Sequence, residues 1–250
     1  MKKLIAANWK MNKTGAEAVA FIKEFKIIVK DANADIVLCP SFTALHDAAK
    51  EAKGSNIKIG AQNMHFDDSG AFTGDISPLM LKDFCEYVII GHSERREFFK
   101  EDDGMINKKL ISALKHNLKP IFCVGETWEQ RSNDKTENIL EGQLIKGLAG
   151  VGDTANLTVA YEPVWAISRG NPNQKAATKD DAEQAHVFIR KVLSGIFNEE
   201  SAKKIRILYG GSMKPENAKE LLAMKNIDGG LVGNASLNAK SFAEIVKAAE

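Results

Sequence analysis

The chain has 250 residues, 44% hydrophobic and 27% charged, with a formal net charge of +1. This is the balance of an ordinary globular protein, and without a long basic run it argues against a nucleic-acid or membrane surface. Met1-Lys2-Lys3 is followed by too few apolar residues for a secretory signal, no apolar run approaches a membrane span, and Cys39, Cys85 and Cys123 form neither a metal spacing nor a disulfide framework, so a reducing, cytoplasmic compartment is expected.

Short β-rich runs alternate with helical patterns along the whole chain. Leu4-Ile5-Ala6-Ala7 reads as the first strand. Thr14 and Glu17 form a capping box for a helix whose apolar face is Ala18, Phe21, Ile22, Phe25, Ile28 and Val29. Ile36-Val37-Leu38-Cys39 is the second strand, followed by a helix over 44–52. Ile57 to Ala61 is the third, followed by a long polar loop over 62–74 and a helix over 78–84. Tyr87-Val88-Ile89-Ile90 is the fourth, and its helix carries Ile106, Leu110, Ala113 and Leu114. Pro120 to Val124 is the fifth, with Leu140, Leu144 and Leu148 marking the next helix. Leu157-Thr158-Val159-Ala160 is the sixth. Thr178 then caps a helix that buries Ala182, Ala185, His186, Ile189, Leu193 and Ile196. Ile205 to Tyr209 is the seventh, and Pro215 suits the first turn of the helix after it. Leu231-Val232 is the eighth, and a last helix presents Phe242, Ile245, Val246 and Ala249.

Strands buried on both faces read as continuous apolar runs, as these do. Eight such strand–helix units predict a single-domain α/β chain, a (β/α)8 barrel of eight parallel strands spanning 1–250. The structural rival is a doubly wound open sheet. It would favour a glycine-rich turn after the first strand, where this chain has Asn8-Trp9-Lys10-Met11-Asn12.

In a barrel the C-terminal strand ends converge on one mouth. Here they carry Asn8 and Lys10, Gln62 and Asn63, Gly91-His92-Ser93-Glu94-Arg95-Arg96, Gly125-Glu126, Glu162, Gly210-Gly211-Ser212 and Gly233-Asn234. Glu162 stands between an apolar run and Pro163, which has no N–H to extend a ladder. Burial there predicts a carboxyl pKa pushed upward, which suits a general base near neutral pH. A structural ion pair is the alternative for the same residue.

Asn8-Trp9-Lys10-Met11-Asn12, Gly91-His92-Ser93-Glu94-Arg95-Arg96, Tyr161-Glu162-Pro163-Val164-Trp165-Ala166-Ile167 and Tyr209-Gly210-Gly211-Ser212 together resemble the signature set of the triosephosphate isomerases. The likeness runs essentially end to end, with the motifs in order. It implies a cofactor-free isomerase that interconverts dihydroxyacetone phosphate and D-glyceraldehyde 3-phosphate through an enediolate, in glycolysis and gluconeogenesis. The family is itself a standard case of tuned pKa values, and the roles that follow are those the resemblance implies. Glu162 is the base and His92 the neutral electrophile that polarises the carbonyl. Lys10 is the fixed cation for phosphate and enediolate, and Asn8 holds it. Glu94 pairs with a nearby cation such as Lys10. Glu126 hydrogen-bonds the indole of Trp165 at the base of a lid over 163–178, and Tyr209 supports that lid. Ser168, Ser212, Gly233 and Asn234 hold the phosphate, the loops after the seventh and eighth strands being its usual cradle. Arg95 and Arg96 read as surface or interface ion-pairing groups, and Cys123 as packing behind the site.

The chain departs from the family pattern in two places. After Ala166-Ile167 the usual Gly-Thr-Gly-Lys is replaced by Ser168-Arg169-Gly170-Asn171-Pro172-Asn173-Gln174-Lys175, a lid about four residues longer. Asn234 stands where the family has the second glycine of a pair, a position that asparagine suits if the backbone is left-handed. The segment Gly70-Ala71-Phe72-Thr73-Gly74-Asp75 resembles the loop that enters a neighbouring subunit, which implies a homodimer. The rival readings are a lyase or epimerase, which would need a Schiff-base lysine or a metal set, and a non-catalytic or impaired barrel scaffold with an altered lid.

Overall fold

The computed structural model describes residues 1–152, 154–167 and 177–250. Eight parallel strands close into a barrel in chain order. They are β1 (Leu4–Asn8), β2 (Asp35–Cys39), β3 (Ile57–Ala61), β4 (Tyr87–Ile90), β5 (Lys119–Val124), β6 (Thr158–Tyr161), β7 (Arg206–Tyr209) and β8 (Gly229–Val232). The register that closes the ring pairs Ala6 with Val37 on one side and with Leu231 on the other. Around it lie α1 (Gly15–Ile28), α2 (Phe42–Ala52), α3 (Pro78–Leu81), α4 (Ser93–Phe98), α5 (Asp103–Lys115), α6 (Trp128–Ser132), α7 (Thr136–Gly147), α8 (Lys179–Ile196), α9 (Glu199–Lys204), α10 (Pro215–Leu222) and α11 (Ala239–Lys247). No helix among the described residues is long and apolar enough to cross a membrane.

Strand alternation divides the core in two. Leu4, Ala6, Val37, Ile89, Ile121 and Leu208 fill the inside of the barrel. Their neighbours Ile5, Ala7, Ile36, Val88, Phe122 and Ile207 face the helices. The expected caps form: Thr14 and Thr178 each make a capping box, with Glu17 and Asp181 as the reciprocal acceptors. His186 is fully buried on α8, as its helical face predicts.

Some boundaries differ from expectation. The sixth strand runs one residue later, because Leu157 N–H turns back to Thr154 O instead of joining the sheet. The helix after β3 stops at Leu81, where the N–H groups of Phe84 and Cys85 both return to Leu81 O. The helix that starts after His92 forms as α4, whereas the short α6 and α9 have no counterpart in the sequence pattern. Each is a turn or two between a strand or a longer helix and its neighbour, too short to show an apolar period.

Candidate active site

Each strand end delivers its residue through a local device. Asn8 closes β1 and its Oδ1 accepts the Lys10 N–H at 3.1 Å. Trp9 between them is fully buried and donates its indole N–H to Ser236 O at 3.2 Å, tying this loop to the turn after β8. Lys10 has φ 51°, a left-handed backbone that costs a non-glycine residue about 1–3 kcal/mol unless its surroundings hold it. Gln62 does so: its amide donates to both Lys10 O and Cys39 O at 2.9 Å. The Lys10 ammonium points to Glu94 Oε1 at 2.6 Å, the pairing expected from the sequence.

After β4, Gly91 takes φ 74° and His92 caps α4. His92 Nδ1 accepts the Glu94 N–H at 3.2 Å. A ring nitrogen that accepts an N–H carries no proton of its own, so the imidazole proton sits on Nε2. That atom lies 2.8 Å from Glu162 Oε1. The other carboxylate oxygen, Oε2, accepts the Ser93 N–H at 2.8 Å. Glu162 is 2% exposed and its backbone N–H closes the β5–β6 ladder onto Val124 O.

The expectation of a raised Glu162 pKa is overturned. Burial does push it up, but the contact with His92, the Ser93 N–H and the charge of Lys10 together hold it below the ordinary carboxylate value. The Glu162 carboxyl is therefore kept as a charged group by its partners, one of them a backbone N–H. Cys123 packs behind it, and burial pushes its thiol far above the reactive range, so the packing role assigned to it stands.

Two glycines make room for Glu162. A Cβ at Gly125 would lie 1.8 Å from Glu162 O, and one at Gly210 would lie 2.9 Å from Glu162 Cγ. Glu126, next along, is fully buried. Its Oε1 accepts the Trp165 indole N–H at 2.9 Å and the Tyr161 hydroxyl at 3.0 Å, so the expected indole contact is present. Tyr209 is buried, and its hydroxyl has no hydrogen-bond partner among the described residues. Ser212 follows β7 and its carbonyl accepts from Asn217 Nδ2 at 3.0 Å. Gly233 faces the Lys10 stem: a Cβ there would meet Lys10 Cε at 3.8 Å. Asn234 opens a short 3-10 turn over Asn234–Leu237 without left-handed backbone, so that position makes no conformational demand for glycine. Ser168, Arg169 and the rest of the lengthened lid segment lie outside the described residues.

The structure thus links Asn8, Lys10, Glu94, His92 and Glu162 by direct contacts, with Gly233 beside Lys10. Arg95 and Arg96 are half-buried, and both form the ion pairs expected of them. The Arg96 guanidinium donates to Gly91 O at 2.9 Å and Cys123 O at 3.3 Å while pairing with Asp103 at 2.6 Å, and so staples β4 to β5. Arg95 pairs with the buried Glu101. Only Arg96 reaches the strand ends; Arg95 stays part-exposed, over the ring of the exposed Phe99. Sequence reasoning gave no role to the Ser93 N–H, to Gln62 or to Gly125 and Gly210. Only the glycines at successive strand ends were a usable signal of close approach.

Comparison with known proteins agrees over the whole chain. The family model described as Triosephosphate isomerase matches residues 3–249. The chain is 51% identical to the triosephosphate isomerase of Clostridium novyi (strain NT) over 248 residues, with 98% of each chain covered. It is 53% identical over 250 residues to that of Carboxydothermus hydrogenoformans, again with 98% of each covered. A crystal structure of triosephosphate isomerase from Bartonella henselae superposes with a TM-score of 0.90 at 39% identity, covering 99% of both chains. With the motifs in sequence order, the closed eight-stranded barrel and these relatives in agreement, the chain belongs to the triosephosphate isomerase family.

Proposed function

We propose that the protein, as one (β/α)8 domain over 1–250, isomerises dihydroxyacetone phosphate and D-glyceraldehyde 3-phosphate through an enediolate, as a cytoplasmic enzyme. The observation that carries the mechanism is the grip on Glu162 from two sides, His92 Nε2 at 2.8 Å and Ser93 N–H at 2.8 Å. Substrate enters between the imidazole and the carboxylate, and its carbonyl oxygen takes over the Nε2–H. Glu162 then leaves the Ser93 N–H, removes a proton from the carbon beside the carbonyl and returns it to the neighbouring carbon. His92 gives its proton to the carbonyl oxygen and recovers one from the adjacent hydroxyl, so protons balance over the cycle. Lys10, held by Asn8 and Gln62, supplies the positive charge the enediolate needs. Ser212, Gly233 and Asn234 receive the phosphate, together with Ser168 from the lid. The lid over 163–178 closes on the intermediate and excludes water.

A coupled assay that follows glyceraldehyde 3-phosphate, combined with turnover in D2O, tests this reading. Isomerisation with solvent deuterium appearing on the carbon that receives the proton is expected. A folded protein that neither turns over triose phosphate nor exchanges its carbon-bound protons overturns it.

The assembly we infer is a homodimer through the 70–75 loop. Met11 and Phe72, on the loops after β1 and β3, and Met80 on α3 and Phe98 on α4 are exposed large apolar side chains, more than a monomer usually leaves exposed. Phe72 folds back on His65 with ring centroids 4.0 Å apart, which stiffens the projecting loop. Sedimentation at micromolar concentration is expected to give twice the chain mass, and a fully active monomer contradicts the inference.

A further inference from the structure

Gly125 ends the β5 ladder with its N–H and C=O both facing away from a strand partner. A single side chain satisfies both. The Gly125 N–H donates to Gln143 Oε1 at 2.8 Å, and Gln143 Nε2 donates back to Gly125 O at 3.2 Å. Gln143 sits on α7, on the outer layer of the barrel. The two residues flanking this clamp hold the catalytic strand end. Val124 O accepts the Glu162 N–H at 2.8 Å and Glu126 O accepts the Val164 N–H at 3.1 Å, while Glu126 Oε1 grips Trp165. Gly125 itself packs on the Glu162 carbonyl so closely that no Cβ fits. Beside the corner is a cavity of about 810 Å³, bounded by Gly125, Gln143, Val164 and Trp165 among others. The corner is thus packed against Glu162 on one side and open to this cavity on the other.

We propose that Gln143 is a positioning residue for the isomerisation. It fixes the Gly125 peptide and through it both the backbone under Glu162 and the 3-10 turn Val164–Ala166 at the base of the lid. The inference rests on Glu162 being the base. Loss of the clamp lets the corner relax into the cavity, so the carboxylate loses its aim over the substrate carbon and the lid closes less firmly. Substrate binding through Lys10, Ser212 and Gly233 stays in place, because none of these three bonds to Gln143 or Gly125 among the described residues.

The test uses Gln143→Leu, which loses both hydrogen bonds at similar volume, and Gln143→Glu, which keeps an acceptor for the Gly125 N–H and loses the donor. Gln143→Leu is expected to lower kcat about tenfold with KM within twofold, and to raise methylglyoxal formed per turnover by phosphate loss from an exposed enediolate. Gln143→Glu should lie between it and wild type. In a Glu162→Gln background, Gln143→Leu should add less than twofold to the residual loss, because two residues acting through one step are not additive. If Gln143→Leu fails to fold, the Gln143→Glu variant carries the test. A folded Gln143 variant with unchanged kcat and methylglyoxal yield but lower Tm shows the clamp to be merely structural and overturns the proposal. So does a full tenfold effect persisting in the Glu162→Gln background. Wild-type kcat in Glu162→Gln alone overturns the base assignment instead, which separates the two failures.

Discussion

Two carboxylates lie buried near the same end of the barrel and are held in opposite ways. Glu101, 5% exposed, gives Oε1 to two permanent cations, Arg95 and Lys109, the latter at 2.7 Å. Lys109 is itself 3% exposed and also donates to Asn63 Oδ1 at 2.9 Å. Burial pulls its ammonium below the ordinary lysine value even with Glu101 alongside. Glu162, 2% exposed, has one imidazole and one backbone N–H, with Lys10 turned to Glu94 instead. Both ways keep a buried charge tolerable. Only the second leaves the carboxylate free to move, because a neutral imidazole and an amide are released at less electrostatic cost than two cations. Burial of a glutamate therefore does not mark a base; the kind of partner does.

The largest effect expected on this contrast is at Glu162. Glu162→Asp draws the carboxylate back by one methylene and should lower kcat by about 10²-fold or more, since a misplacement of about 1 Å can cost that much. The thermal midpoint should stay close to wild type. Steady-state kinetics alongside a melting curve read both, and a kcat within threefold of wild type would remove Glu162 from the base role.

Glu101→Gln should give the converse. It leaves Lys109 and Arg95 without their counter-charge, and breaking a buried pair typically costs about 3–5 kcal/mol of unfolding free energy. Denaturant unfolding should register that loss while kcat per folded molecule stays within a few-fold of wild type. Unchanged stability, or a collapse of kcat in fully folded protein, would erase the distinction between the two sites.

The third test concerns pH. The Glu162 carboxyl is held below its ordinary value in the folded protein. The stability it contributes is therefore present above the unfolded carboxylate pKa of about 4.3 and fades as pH falls through the lower folded value. Removing His92 removes the largest of the lowering influences and lets burial dominate. In His92→Asn the Glu162 pKa should rise, as read by NMR titration of 13C-labelled glutamate. A value that stays where it was would show that the Ser93 N–H and Lys10 suffice, and that the imidazole is not what keeps the base charged.

Much of this protein is set out locally along its chain. Apolar runs of strand length alternating with helical faces lead to eight parallel strands, and closure follows because each face of each strand must be covered. The residues at the strand ends, Asn8, Lys10, His92, Glu162, Ser212 and Gly233, were legible because barrel topology brings all such ends to one mouth. What tertiary structure decided was partnership. Ser93 N–H and Glu162 are 69 residues apart, and no periodicity announces that the two will meet at 2.8 Å. The direction of the Glu162 pKa turned on that contact and on His92, against the burial that sequence alone makes visible. Gln62 beneath Lys10 stands among the strand-end residues without a role of its own, and Gln143 beneath Gly125 reads in sequence as an ordinary polar residue. They became supports only when register set a side-chain amide opposite a backbone group that had no other partner. Arg96 went the same way: its ion pair was expected, but its bonds to the Gly91 and Cys123 carbonyls came only with the fold.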